Sequence, residues 1–399
     1  KLVLLDFSAR WCPGCVRLET EIFTTPQFKK AAKGFIKVRL DYDRFENTVL
    51  RERYHIRGIP SLITLDADGE EIQRILDYQP LPVVEKLLLS SKSEPTTIKA
   101  LLAQAEKNDV KAEAILAKRL VEANRYEESI PLLEKTAPNS LDLSNARISA
   151  ARKKIKKDIA AKEELKSALQ KGITAHPKAM SSLFWRYELL NIDGPSPNPK
   201  TAAEGIALAD SLLEDEALRK NALTDEPPGE FTGYEKLQIA EMRAALMGKS
   251  DANEEEKRLA WKKTADIGKE YGITAKTPGP ALRFLIFLVM AKDFKAAEDL
   301  AQDMLARDPG NPEVERRLMG ILNEQKKFAD SIAIGLKCLP KSYGMNQIWV
   351  ASRLAKAYIG AGKKEEAKDL LSSYLKRDEL SWESMSSEKK EFTELLRSI

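Results

Sequence analysis

The sequence predicts two architectures in series: an α/β domain over residues 1–90 and an all-α superhelix of helical hairpins over 98–399, joined by a linker at 91–97. Three observations carry this. Apolar runs of strand length alternate with helical periodicities as far as Leu89 and then cease. Beyond them Ala, Leu, Lys and Glu dominate segments of helix length that end at Gly, Pro or Asn. A period of 34 residues carries Lys292-Asp293-Phe294 onto Lys326-Lys327-Phe328. The length agrees, since 399 residues exceed the roughly 250 to 300 that one hydrophobic core organises.

Taken in order, Lys1 to Phe7 is an apolar run of strand length, and Pro13 to Lys33 reads as a helix, with Pro13 in its first turn and Leu18, Ile22 and Phe23 at helical spacing. Phe35 to Leu40 alternates apolar with basic residues, the period of a half-buried strand, and Arg44 to Tyr54 is again helical. Ser61 to Leu65 and Glu71 to Leu76 flank Asp66-Ala67-Asp68-Gly69, a turn signal that makes them an antiparallel hairpin. Leu81 to Leu89 closes the unit as a helix. Ser90 to Thr97 is polar and aperiodic, which places the domain boundary there.

In the helical region the segments 110–143, 278–311, 312–345 and 348–381 superpose. Leu354, Ala355, Tyr358, Gly362 and Ala367 fall at the spacings of a tetratricopeptide repeat, as do Phe294, Ala297 and the terminal Asp308-Pro309. This part resembles the tetratricopeptide family, most clearly at 110–143 and 278–381. Such hairpins form long grooves, which implies a client or partner protein on the repeats. From about Asn139 to Ala275 the helices continue in irregular register, with loops expected at 193–199 and 224–229.

The charges nearly balance, 65 basic against 61 acidic side chains, so composition supplies no reason to expect nucleic acid or an anionic membrane as partner. No stretch approaches the roughly 18 apolar residues of a membrane span; the longest apolar run, around Phe284 to Ala291, belongs to a repeat. The chain opens at Lys1 rather than Met, already inside a strand, which leaves room for a leader or anchor upstream.

Three cysteines exclude a disulfide-stapled scaffold and leave one close pair plus Cys338. Cys12-Pro13-Gly14-Cys15 lies between the end of a strand and the start of a helix. There free backbone N–H groups and the helix dipole stabilise a thiolate, and the two-residue spacing sets Cys15 one turn further in, within reach of a mixed disulfide formed at Cys12. Zinc would need two further ligands, and only Cys338, His55 and His176 remain, none in a paired motif, so no metal is expected. A purely structural crosslink across so small a ring would constrain little of the unfolded chain.

The run LLDFSARWCPGC resembles the active-site strand and turn of the thioredoxin superfamily, and Arg57 to Ser61 resembles its proline loop. The resemblance spans about residues 1–90. It implies a thiol-disulfide oxidoreductase whose redox-active disulfide serves without a separate cofactor. It further implies a cis peptide between Ile59 and Pro60, an Ile59 backbone free to pair with an extended substrate, and Trp11 in the substrate platform beside Pro13 and Gly14. Asp6 falls at the family's buried acid and Lys37 at its lysine partner; a buried Asp6 would have a raised pKa and relay the proton of Cys15. Glu19 to Phe28 resembles the branch containing periplasmic reductase domains of membrane electron-transfer proteins. That branch implies reduction of protein or peptide disulfides outside the bacterial cytoplasm by electrons from an upstream thiol protein, with a cytoplasmic setting as the alternative.

The remaining residues read more plainly. Cys338 sits where the repeats are expected to hold a small packing residue, His55 at the surface before the proline loop, Trp185, Trp261 and Trp349 in helical cores, and Asp251 to Glu256 at a solvated helix start. Against the enzyme stands a non-catalytic chaperone or assembly scaffold whose dithiol only senses redox state. A scaffold needs neither the proline loop nor Asp6.

Overall fold

The computed structural model describes residues 1–155, 161–194, 198–222, 234–377 and 386–399. The loop expected at 224–229 lies outside them, and that at 193–199 partly so. Contacts divide the chain into two compact units, residues 1–42 with 46–271 and residues 43–45 with 272–399.

The first unit opens with β1 (Val3–Ser8), α1 (Pro13–Arg17), α2 (Pro26–Ala31), β2 (Ile36–Asp41), α3 (Thr48–Arg53), β3 (Ser61–Leu65), β4 (Glu71–Leu76) and α4 (Leu81–Ser93). The four strands form one sheet in the order β2-β1-β3-β4, with β2 parallel to β1 and β3 antiparallel to both β1 and β4. β1 is central and buried on both faces. Leu4 packs with Leu18, Ile22, Phe28, Val84 and Leu88 under the first, second and fourth helices, whereas Leu5 and Phe7 pack with Leu40, Tyr54, Ile56 and Ile63 on the opposite side. The β3–β4 turn closes through Asp66, whose Oδ1 accepts the N–H groups of Asp68 and Glu70 at 2.9 Å each, and Gly69 takes the left-handed conformation the turn needs, φ 78°.

The expected elements need correction at several points. The helix read over Pro13 to Lys33 is interrupted: a π-helical turn at Leu18–Ile22 follows α1, and a new helix starts at Pro26. Pro26 excludes helical backbone at Thr25, which turns extended (ψ 146°) and caps α2 by accepting the Phe28 N–H. β2 is the sheet's edge: Val38 and Leu40 pack on the core and Lys37 and Arg39 are exposed, as the alternation predicts, but Ile36 at its start is 49% exposed. The segment from Arg44 begins with a 3-10 turn at Phe45–Asn47 before α3. α4 extends through Ser93, leaving Glu94 to Thr97 as the connection.

Helices α5 (Ile98–Ala105), α6 (Val110–Glu122), α7 (Tyr126–Thr136), α8 (Leu141–Ile155), α9 (Ala161–Ala175), α10 (Met180–Asp193), α11 (Pro199–Glu214), α12 (Glu216–Ala222), α13 (Glu235–Met247) and α14 (Glu254–Glu270) complete the first unit. α14 starts in a capping box, with Asn253 and Glu256 bonding each other's backbone N–H. The second unit holds α15 (Pro278–Met290), α16 (Phe294–Arg307), α17 (Pro312–Glu324), α18 (Phe328–Cys338), α19 (Gly344–Gly360), α20 (Lys364–Leu375) and α21 (Ser386–Arg397). No helix among the described residues is long and apolar enough to cross a membrane.

The 34-residue register read from sequence has a backbone counterpart. Asn124, Lys292, Lys326 and Gly362 occupy one position in the four segments, between the two helices of a hairpin, and all have positive φ (58°, 58°, 60° and 74°). Ser129, Ala297, Ser331 and Ala367 share a second position and are fully buried at 0% exposure, because only a small side chain lets the paired helices approach. Cys338 is buried as expected, but its position is not reserved for small residues, since Met304 and Tyr374 fill it in the neighbouring repeats. Trp185 is core at 4% exposed, whereas Trp261 and Trp349 are only half-buried.

Candidate active site

β1 delivers the chain to Cys12, the N-cap of α1, whose extended backbone (φ −87°, ψ 111°) turns its side chain back over the helix so that Sγ accepts the Cys15 N–H at 3.1 Å. A sulfur in this place meets unsatisfied N–H groups and the positive end of the helix, the setting that favours thiolate over thiol. Cys12 and Cys15 are joined as a disulfide, their Cα atoms 5.3 Å apart. Both are buried, and Ala9, Trp11, Tyr42 and Ile59 gather around them.

Pro13 occupies the first helical turn, where its missing N–H costs nothing. Gly14 lies against Pro60: a Cβ at Gly14 would stand 3.1 Å from Pro60 Cδ and 3.3 Å from Asp77 Oδ1, so the absent side chain is what admits the proline loop. The Ile59–Pro60 peptide is cis, Pro60 accepts the Asp77 N–H at 2.9 Å, and Ser61 Oγ donates to the Gly58 carbonyl at 2.8 Å, anchoring the loop at its end. Among the described residues no hydrogen bond engages the backbone of Ile59.

Asp6 projects from the face of β1 that carries Leu4 and the helix layer of α1. It is 8% exposed, and burial raises its pKa against the opposing pull of Arg39, whose Nε donates to Oδ2 at 3.0 Å. Here a residue expectation is corrected. The β1–β2 register sets Asp6 opposite Arg39 and Lys37 opposite Leu4, so the basic partner is Arg39, and Lys37 is exposed. Arg39 divides itself between Asp6 and Glu19, bonding Glu19 Oε1 at 3.0 Å.

The structure brings together Cys12, Cys15, Trp11, Ile59, Pro60, Pro13 and Gly14, and it leaves His55 outside the group around the sulfurs. His55 is exposed and takes left-handed backbone (φ 51°); its pKa is lowered by partial burial and by Arg125, Arg74 and Arg57. Two features escaped the sequence reading. Tyr42, just beyond β2, enters the apolar surround of the cysteines. Arg17, two residues beyond Cys15 at the end of α1, lies with its guanidinium over the rings of Tyr78 (3.5 Å) and Tyr234 (4.3 Å) and bonds Glu21, which also accepts the Tyr78 hydroxyl at 2.8 Å. Burial pushes the Tyr78 hydroxyl up to about 12. No group of three or more His, Cys, Asp or Glu able to hold a metal occurs among the described residues.

Comparison with known proteins places this geometry. The thioredoxin-like domain family matches residues 1–91. The thiol:disulfide interchange protein DsbD 2 of Pseudomonas aeruginosa is 39% identical over 71 residues, covering 17% of this chain and 12% of that protein. DsbD of Haemophilus ducreyi is 30% identical over 77 residues, covering 19% and 13%, and DsbD of Pasteurella multocida 30% identical over 99, covering 24% and 17%. The chain therefore spans less than a fifth of the length of these relatives. The crystal structure of the P58(IPK) TPR domain aligns with 78% of this chain and 96% of its own at 13% identity, with a TM-score of 0.23. Residues 1–91 are a thioredoxin-like domain, related to thiol:disulfide interchange proteins and carrying Cys12 and Cys15 as a disulfide-linked pair at the head of its first helix.

Proposed function

We propose that the protein is a thiol-disulfide oxidoreductase that reduces protein disulfides through Cys12 and Cys15, while its helical hairpins hold the client or a partner. The observation that carries this reading is the placement of Cys12 Sγ at the N-cap of α1, accepting the Cys15 N–H, with the proline loop against Gly14. In the reduced enzyme the Cys12 thiolate attacks one sulfur of a client disulfide, forming a mixed disulfide and releasing the other client sulfur as a thiolate. Cys15, giving its proton to Asp6, then attacks Cys12 Sγ; the mixed disulfide breaks, the second client thiol leaves, and the Cys12–Cys15 disulfide forms. Two electrons pass from the protein dithiol to the client, and an upstream thiol protein restores them.

Trp11, Tyr42 and Ile59 supply an apolar seat around the sulfurs, and the unengaged Ile59 backbone suits pairing with an extended client segment. The relatives' printed function, thiol:disulfide interchange, supports the redox assignment, and the resemblance of Glu19 to Phe28 to the branch containing periplasmic reductase domains supports a setting outside the cytoplasm. The test is turnover of insulin by the reduced chain, with Cys12→Ser expected to abolish it and Cys15→Ser expected to accumulate a mixed disulfide on Cys12. Full turnover by Cys12→Ser would remove the assignment.

A further inference from the structure

α1 is five residues long, too short to hold its own direction, and its ladder gives way at once to the π-helical turn. Pro13 brings no N–H, so this helix end offers a sulfur the N–H groups of Gly14 and Cys15, and their aim decides how well a Cys12 thiolate is held. In the oxidised chain the Cys12–Cys15 bond itself fixes α1. Reduction removes that bond and leaves α1 to its packing, with Gly14 against Pro60 at the front and Arg17 buried at the back.

A cation is costly to bury unless it is paired, and Arg17 is 9% exposed. Its Nε and Nη2 donate to Glu21 Oε1 and Oε2 at 3.1 and 3.2 Å, and the flat guanidinium lies over the Tyr78 and Tyr234 rings, which attract it through their π faces. The two rings come from different parts of the first unit. Tyr78 follows β4 and directly succeeds Asp77, whose N–H Pro60 accepts, so this side of the clamp belongs to the α/β domain and reaches the proline loop. Tyr234 is the N-cap of α13 and packs on Tyr271, the C-cap of α14, with ring centroids 5.3 Å apart. The α13–α14 hairpin thereby supplies one wall around the last residue of the helix that carries Cys15.

We propose that Tyr234 is a positioning residue for the redox pair: by holding Arg17 it fixes α1 in the reduced chain, so that the N–H groups of α1 stay aimed at the Cys12 thiolate. The helical region is then a working part of the redox centre and not only a holder of clients. This rests on the reading that Cys12 is the attacking thiolate.

The experiment is the pH profile of iodoacetamide alkylation of the reduced full chain, with modification of Cys12 followed by mass spectrometry, alongside urea unfolding and insulin turnover. Tyr234→Ala is expected to move the midpoint of the Cys12 profile up by about one pH unit, so that the rate below the midpoint falls about tenfold while the plateau at high pH is unchanged. Tyr234→Phe keeps the ring and is expected to give the wild-type profile. Arg17→Gln is expected to shift the midpoint as Tyr234→Ala does, and the double variant no further, because both act through one contact. Leu169→Ala, a truncation in the core between α8, α9 and α10, is expected to lower the urea midpoint and leave the alkylation profile in place, which separates aim from stability. An unmoved midpoint in Tyr234→Ala, a shift in Tyr234→Phe as large as in Tyr234→Ala, or additive shifts in the double variant overturns the positioning role while leaving the reductase standing. Absence of insulin turnover by the wild type overturns the reductase, and the alkylation profiles still decide whether Tyr234 acts on Cys12. If Tyr234→Ala fails to fold, Tyr234→Leu, which keeps apolar volume without the π face, is expected to show the same shift and takes its place.

Discussion

Replacing Asp6 with Asn removes a charge from the middle of β1 while keeping the side chain's shape and an acceptor toward Arg39. Two effects compete. The ion pair is close, 3.0 Å, but the Arg39 side chain is 48% exposed and shared with Glu19, so its contribution is at most about 1 kcal/mol. Withdrawing the carboxylate from water costs several kcal/mol, and the raised pKa of Asp6 has burial as its first cause. Burial wins. The folded state then keeps the Asp6 proton above the ordinary value of 3.8, so between that value and its folded pKa the native state binds more protons than the unfolded one. Stability therefore falls as pH rises through that window. Asp6→Asn lacks this slope and is expected to be more stable than wild type at pH 8 by about 1–4 kcal/mol, with the difference closing at acid pH. Because a general base contributes about 10²- to 10⁴-fold, the same variant is expected to lose about a hundredfold in insulin turnover at neutral pH, with the mixed disulfide at Cys12 accumulating. Urea unfolding at pH 4 and 8 reads the first effect and turnover the second. An Asp6→Asn chain less stable than wild type at pH 8 would show that the ion pair dominates, and unimpaired turnover would refute the proton relay.

Three further outcomes are expected. Gly14→Val drives a branched side chain into Pro60 Cδ and Asp77 and is expected to cost about 1–3 kcal/mol and most of the turnover, with Gly14→Ala milder in both denaturation and insulin assays. Burial pushes Glu122 up to about 7, so its contribution to stability is lost as pH rises from 4.5 through 7; Glu122→Gln is expected to flatten that slope and gain about 1–3 kcal/mol at pH 8 in urea titrations. Arg17→Gln empties the space between Tyr78 and Tyr234 and is expected to cost about 2 kcal/mol of stability by urea unfolding, with protection from amide exchange falling most around Tyr78 and Tyr234.

What the sequence revealed follows the range of the interactions involved. The hairpin at Ser61 to Leu76 and the cysteine turn were legible because each is written in adjacent residues: a turn signal, and a proline that starts a helix directly after Cys12. The break at Pro26 was equally local, and Thr25-Pro26 with Phe28 three residues beyond the threonine was a readable cap that the helical spacing of Leu18, Ile22 and Phe23 outweighed. The partner of Asp6 was not legible. Lys37 and Arg39 share a strand face, and only the pairing of Val3 with Ile36, a register between strands separated by two helices, chooses Arg39. Tyr234 beside Arg17 unites residues from separate helices, and no periodicity within one helix encodes the contact. The repeat register was visible at its buried small residues, Ala297 and Ala367, whereas Cys338 misled because its position tolerates Met304 and Tyr374 as readily.

The most direct test of the proposed reductase is the reduction potential of the Cys12–Cys15 pair, measured by equilibrating the full chain in glutathione buffers and quantifying the thiols. A reductase requires a potential in the range of thioredoxin, about −270 mV, and that is the expected result. A potential near −120 mV, the oxidising end of the range, would contradict it, because electrons would then flow from client thiols to the protein.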